Sequence, residues 1–276
     1  MSIPMKSSRS IGIAILALFA ATGMAGAQIV SIKGSDTLGA QLVPQLAEAF
    51  NAKHKDKPVK FEIAAEGSAV AFTALTNGTA QIGMSSRQAT PAELAAAHAK
   101  GIKLNEVVAC HDMIVVIVNK SNPLKKLTQK QVEKIFTGQV KDWSEVGGMP
   151  GAISIYTRNT ASGTYKDWQK MAMAGRDYAK GAQKMAGGEQ VVEEVTSNKN
   201  GIGYVGLAFS DKPGIKPMTI DDTAPVAANA EKYPYSRMCY FYLPENADAN
   251  AKEFVAFAAS EEGNALAKSL GFVPVK

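Results

Sequence analysis

The sequence predicts an α/β protein of two lobes, built on mostly parallel sheet flanked by helices. Three observations carry this. Short β-branched runs alternate with longer Ala-rich stretches of helical period. Turns rich in Ser, Gly and Asp separate the two. The length of 276 residues, with 46% hydrophobic and 20% charged, suits one large domain or two lobes with a full core. This composition excludes disorder, collagen and disulfide-scaffold classes, and a charge of +5 with 7% aromatics argues against a nucleic-acid binder.

The elements follow in order. Residues 1–27 read as a secretory signal peptide: Lys6 and Arg9 without acids, the apolar run Ile11 to Ala21, then Ala25-Gly26-Ala27, with cleavage near Ala27-Gln28. That run is about 11 residues, short of the ~18–20 that span a bilayer, so an uncleaved anchor is the lesser alternative. Without Lys6 and Arg9 the charge falls to +3. No lipobox cysteine stands at the cleavage site, which favours a soluble periplasmic form. Ile29 to Lys33 reads as a strand, Gly34-Ser35-Asp36-Thr37 as a turn, and Leu38 to His54 as a helix that Pro44 kinks or delays. A second unit follows in Val59 to Ala64, Glu66-Gly67-Ser68 and the helix Ala69 to Asn77. Ile82 to Met84 is a third strand, and Thr90-Pro91-Ala92-Glu93 opens a helix with a capping box.

Met113 to Val118 is the longest strand, fully apolar, and Thr128 to Gln131 caps a helix reaching Phe136. Ile153 to Tyr156 is a strand, followed by the polar turn Arg158 to Thr164 and a helix from Tyr165 to Met173. Gly201 to Val205 and Arg237 to Leu243 are strands, and the tail Ala251 to Leu270 reads as one helix. Export permits one bridge between Cys110 and Cys239, and two buried thiols in strands are the equal alternative.

Chemistry concentrates in the turns. Gly34-Ser35-Asp36-Thr37, Gly67-Ser68, Ser85-Ser86-Arg87 and Ser162-Gly163-Thr164 are small, hydroxyl-bearing and placed where helices begin. Such turns let an oxyanion approach backbone N–H groups while hydroxyls add donors, and Arg158 offers a planar fork for two oxygens. For any one turn an ordinary N-cap is the simpler explanation. Four together, with arginines beside them, favour a shared anion site.

At these residues the chain resembles the periplasmic phosphate-binding proteins of ABC-type importers, the PstS type. The matching pieces are Ile32 to Thr37, Ile82 to Arg87, Leu127 to Trp143, Arg158 to Thr164, Gly201 to Tyr204 and Tyr233 to Arg237, in family order over nearly the whole mature chain. The resemblance implies a two-lobed "Venus flytrap" holding phosphate in the cleft and serving a membrane permease as a monomer without cofactor. Lobe 1 would comprise 28–111 and 238–276 and lobe 2 residues 112–237, with crossings near Cys110 to Met113 and Ser236 to Tyr240. The implied phosphate contacts are Ser35, Asp36, Thr37, Ser68, Ser85, Ser86 and Arg87 from one lobe. The other would add Arg158, Ser162, Gly163 and Thr164.

One departure bears on selectivity. Some members carry an aspartate where Ser86 stands, which accepts the proton of monohydrogen phosphate and rejects sulfate. Asp36 is the candidate for a displaced acceptor, with Glu66 second; a helix N-cap is the equal alternative for Asp36.

Receptors for sulfate, molybdate, tungstate or arsenate are the nearest alternatives. An exported serine hydrolase lacks a G-x-S-x-G elbow and an S-x-x-K motif, with only His54, His98 and His111 as bases. The cysteines and histidines show no metal-ligand spacing, no G-x-x-x-x-G-K-[ST] loop is present, and a surface adhesion or signalling role on the same fold stays open.

Overall fold

The computed structural model describes residues 29–275, so the signal-peptide segment lies outside the described residues. The chain begins with three strand-turn-helix passages. These are β1 (Ile29–Gly34) with α1 (Asp36–Gly39) and α2 (Leu42–Lys53), β2 (Lys60–Ala64) with α3 (Ser68–Thr76), and β3 (Ile82–Ser85) with α4 (Pro91–Ala99). The long β4 (Leu104–Asn119) leads to β5 (Lys126–Leu127), α5 (Gln129–Phe136), β6 (Ser154–Arg158), α6 (Gly163–Met171), β7 (Gln183–Met185) and α7 (Gly188–Ser197). β8 (Gly201–Gly206), β9 (Ile215–Pro217) and β10 (Thr219–Ile220) follow, and β11 (Ser236–Pro244) returns to α8 (Ala249–Ala258) and α9 (Glu261–Ser269).

The main sheet runs β2-β1-β3-β11-β4-β8-β6-β7, with β9 also on β4. Its two ends serve two hydrophobic cores. One gathers Ile32, Leu42, Phe50, Met84, Phe241 and Phe254; the other gathers Ile114 to Val118, Phe136, Trp168, Val191 and Tyr204. The first core includes Cys110 and Cys239, and the second begins at Met113 and ends at Tyr235, so two adjacent antiparallel strands carry the chain between lobes. β4 runs through both lobes, pairing with β11 on one side and, through Ile114 to Val118, with β8.

The sheet is mixed, where mostly parallel pairing was expected. β1 pairs β2 and β3 in parallel and β6 pairs β7 and β8 in parallel, but β11 runs antiparallel to both of its neighbours, β3 and β4, and β4 runs antiparallel to β8. An apolar run reports burial on both faces and carries no direction; the double crossing imposes the antiparallel pair.

Other differences have local causes. The stretch expected as one helix from Leu38 breaks at Ala40 and Gln41, and Pro44 becomes the third residue of α2, where a helix needs no donor. The tail is two helices because Ser260 caps α9, its Oγ accepting from Gly263 N–H at 3.3 Å. α7 was missed since Gly187 starts it without a side-chain cap, though the stripe Val191, Val192 and Val195 has helical period. Both predicted capping boxes form, Thr90 with Glu93 and Thr128 with Gln131. Among the described residues no helix is long and apolar enough to cross a membrane.

Cys110 and Cys239 face each other across β4 and β11, fully buried, beside a register shift at Cys239/Tyr240, and the structure holds them as free thiols. The hydrogen bond to Cys239 and burial push the Cys110 thiol well above the ordinary range. Thiolate is then scarce at neutral pH. Native protein should therefore react with a disulfide-exchange thiol reagent far more slowly than unfolded protein, which should show two thiols without reductant; fast native labelling would contradict the burial.

Candidate functional site

The four turns meet between the two cores. Gly34 makes the first turn feasible: at φ +133° a Cβ there would lie 2.1 Å from the Met84 carbonyl oxygen. Its own carbonyl accepts from Gly67 N–H at 2.7 Å, and Ser35 N–H donates to Met84 O at 2.8 Å, so the turns after β1, β2 and β3 are tied into one surface. α6 presents its first turn to that surface. Ala69 N–H donates to Ala161 O at 3.1 Å across the lobes, and a Cβ on Gly163 would lie 2.3 Å from Ser68 Oγ and 2.8 Å from Ser86 Oγ. Gly163→Ala should keep the fold and weaken closure, lowering ligand affinity by about tenfold or more by titration calorimetry, because the neighbours are hydroxyls of a packed site.

One ion pair crosses the cleft. Arg158 Nη1 donates to Asp36 Oδ2 at 2.9 Å, and the same oxygen accepts from Gly188 N–H at 2.9 Å. Arg158 Nη2 donates to Ala186 O at 2.6 Å. Burial pulls the Arg158 guanidinium below its ordinary range, and Asp36 offsets this only in part. Asp36 is not an N-cap; Ser35 holds that position and makes no side-chain cap bond.

The same turns carry paired hydroxyls. Thr37 Oγ1 and Thr164 Oγ1 lie 3.2 Å apart from opposite lobes. Ser68 Oγ lies 3.1 Å from Ser86 Oγ and accepts from Ser86 N–H at 3.0 Å. Ser35 Oγ and Arg158 Nε are both buried without a partner among the described residues. Trp168 Nε1 and Tyr235 Oη in the second core are unpartnered as well; Ser35 and Arg158 differ from them in standing on turns that meet between the lobes, where an outside acceptor could satisfy both.

Other predicted residues do local work. Arg87 gives Nη1 and Nη2 to Glu93 at 2.8 and 2.7 Å and Nη1 also to Gln88 O, which ties it to the start of α4. Burial would raise the Glu93 carboxyl, yet Arg87 and the Thr90 N–H hold it low. Ser85 Oγ donates to Arg87 O at 2.6 Å and closes its own turn, and Ser162 Oγ caps α6 by accepting from Tyr165 N–H at 3.2 Å. Glu66 is exposed. Among the described residues no group of three His, Cys, Asp or Glu could hold a metal ion.

Arg237 and Asp112 were not assigned a site role from sequence. Arg237 Nη2 donates to Asp112 Oδ2 at 3.0 Å and to Thr164 Oγ1 at 2.9 Å, and Asp112 Oδ1 accepts from Leu207 N–H at 3.1 Å. The signal available was Tyr233 to Arg237, which carries the resemblance without naming a partner for the arginine.

The profile of the PBP superfamily domain matches residues 20–262. The phosphate-binding protein PstS of Pseudomonas aeruginosa is 30% identical over 282 residues, covering 92% of this chain and 85% of that protein. This chain belongs to the PstS family. PstS of Bacillus subtilis is 28% identical over 254 residues, covering 89% of this chain and 80% of that one. Among solved structures, an ABC transporter substrate-binding protein of Clostridium perfringens with bound phosphate superposes with a TM-score of 0.83 at 29% identity, covering 90% of this chain and 100% of that one. An ABC-type phosphate transport receptor from Vibrio cholerae gives 0.72 at 27%, covering 89% and 100%. The two-lobed α/β architecture of this PstS-family chain is that of its relatives.

Proposed function

We propose that this protein captures inorganic phosphate between its lobes and delivers it to the membrane permease of an ABC importer, without chemical turnover, in the periplasm after export. The single observation carrying this is the pair of buried, unpartnered groups, Ser35 Oγ and Arg158 Nε, on the two turns whose Thr37 and Thr164 hydroxyls meet from opposite lobes. Ser35 and one hydroxyl from each of the bonded pairs, Thr37 with Thr164 and Ser68 with Ser86, would donate protons, and Arg158 would supply charge through Nε. Gly163 would admit the anion to the α6 backbone, and Asp36 would accept the proton that monohydrogen phosphate carries. Neither Ser85 nor Ser162 is needed beyond shaping its turn, and lobe 2 would comprise roughly the span between the two crossings.

Closure follows from a site split between lobes, since the donors meet one anion only when the lobes are together. The PstS relatives and the bound-phosphate neighbour support the ligand class. A hydrolase reading has little support: His54 stacks on Phe50 and bonds Glu253, while the His111 backbone pairs with Val273. Titration calorimetry with phosphate, sulfate, arsenate and molybdate tests the proposal. Saturable heat with phosphate at 1:1 stoichiometry is expected; no heat with phosphate removes it, and preference for another oxyanion reassigns the ligand.

A further inference from the structure

We infer that Arg237 is a positioning residue that sets the hydroxyls of Thr37 and Thr164 as donors toward the bound anion and links their alignment to lobe closure. This rests on the phosphate-capture reading. Arg237 lies on β11 directly opposite Asp112 of β4, within the two strands that join the lobes. It is buried, and Asp112 holds it, Nε at 3.3 Å and Nη2 at 3.0 Å, while Nη1 reaches Asp167 at 3.4 Å. Nη2 also reaches both threonines, Thr164 Oγ1 at 2.9 Å and Thr37 Oγ1 at 3.4 Å.

A hydroxyl oxygen that accepts from a guanidinium N–H must direct its own proton elsewhere. Nη2 has two protons for three acceptors, so beside Asp112 it serves Thr164 directly and reaches Thr37 only as a shared, longer contact; the two hydroxyls lie 3.2 Å apart, and one proton serves the bond between them. The other remains for an outside acceptor. The pair is thereby set to donate and offers least to a ligand that is itself a donor. Asp112 and Asp167 balance the guanidinium, so its effect on the ligand is exerted chiefly by orienting hydroxyls. Since the threonines come from opposite lobes and the arginine from a strand joining them, the three meet only in the closed arrangement, and aligning the donors is part of closing.

A double-mutant cycle with phosphate calorimetry tests this on Arg237→Lys, Thr164→Val and the double variant. Lysine keeps the charge and loses the fork. Arg237→Lys should weaken phosphate binding about tenfold or more, and in the Thr164→Val background it should cost no more than about threefold, because its target is gone. Arg237→Lys within about threefold of wild type, or losses that multiply in the double variant, would overturn the positioning role; a residue that only stabilises the hinge gives multiplied losses. If Arg237→Lys does not fold, Arg237→Gln in the same cycle with Thr164→Val gives the same readout, and multiplied losses there reject the inference. Wild-type protein silent to phosphate overturns the capture reading and this inference with it. Wild-type binding with multiplied losses overturns this inference alone.

Discussion

Arg158→Ala should lower phosphate affinity by at least about 100-fold. Charge-assisted hydrogen bonds contribute on the order of 1.5–3 kcal/mol each, and Arg158 stands at the end of β6 with Nε free for the ligand and Nη1 on Asp36. Truncation removes the cation and leaves the Asp36 carboxylate in the closed cleft beside an incoming anion. The remaining like-charge repulsion would further disfavour the bound state. Arg158→Lys should fall between, since a lysine restores charge without the fork that serves Asp36, Ala186 O and the ligand together. Calorimetry with phosphate reads both, and a melting curve of each ligand-free variant checks the fold. An Arg158→Ala protein binding within about fivefold of wild type would remove Arg158 from the site.

Asp36→Asn should change selectivity more than affinity. Among the described residues the Asp36 side-chain partners are Arg158 and the Gly188 N–H, both on Oδ2, and the proposed function gives the ligand proton to Oδ1. Monohydrogen phosphate has that proton and sulfate does not, so a carboxylate there repels sulfate. An asparagine keeps an oxygen for Arg158 and can turn an N–H toward the anion, making sulfate acceptable. The phosphate-over-sulfate affinity ratio should fall by about tenfold or more, because one unpaired buried acceptor against an oxyanion costs several kcal/mol. Parallel titrations with both anions decide it; an unchanged ratio assigns Asp36 to the interlobe ion pair alone, with selectivity arising elsewhere.

The comparison between expectation and structure turns on sequence distance. Thr90 with Glu93, Thr128 with Gln131, and Ser162 at the start of α6 were legible because each is a local backbone problem solved within about four residues. The pairing of Arg87 was not legible, for the same reason seen from the other side. Its partner Glu93 is six residues away on a helix already predicted, yet an arginine beside an anion-binding turn looks identical in sequence whether it is free or claimed.

Asp36 with Arg158 is separated by 122 residues, and Arg237 reaches Thr37 across 200. Composition and periodicity identify such groups as donors and acceptors, but pairing is set by which turns the two crossing strands bring face to face. Local chemistry thus determined that this chain would be an α/β protein with small, hydroxyl-rich turns suited to an oxyanion. The folded arrangement determined which cation stays available, which carboxylate faces it across the cleft, and that a hinge arginine touches both lobes. The physical reason is that hydrogen bonding and ion pairing act over a few ångströms in space, and the closed pair of lobes alone brings these distant residues within that range.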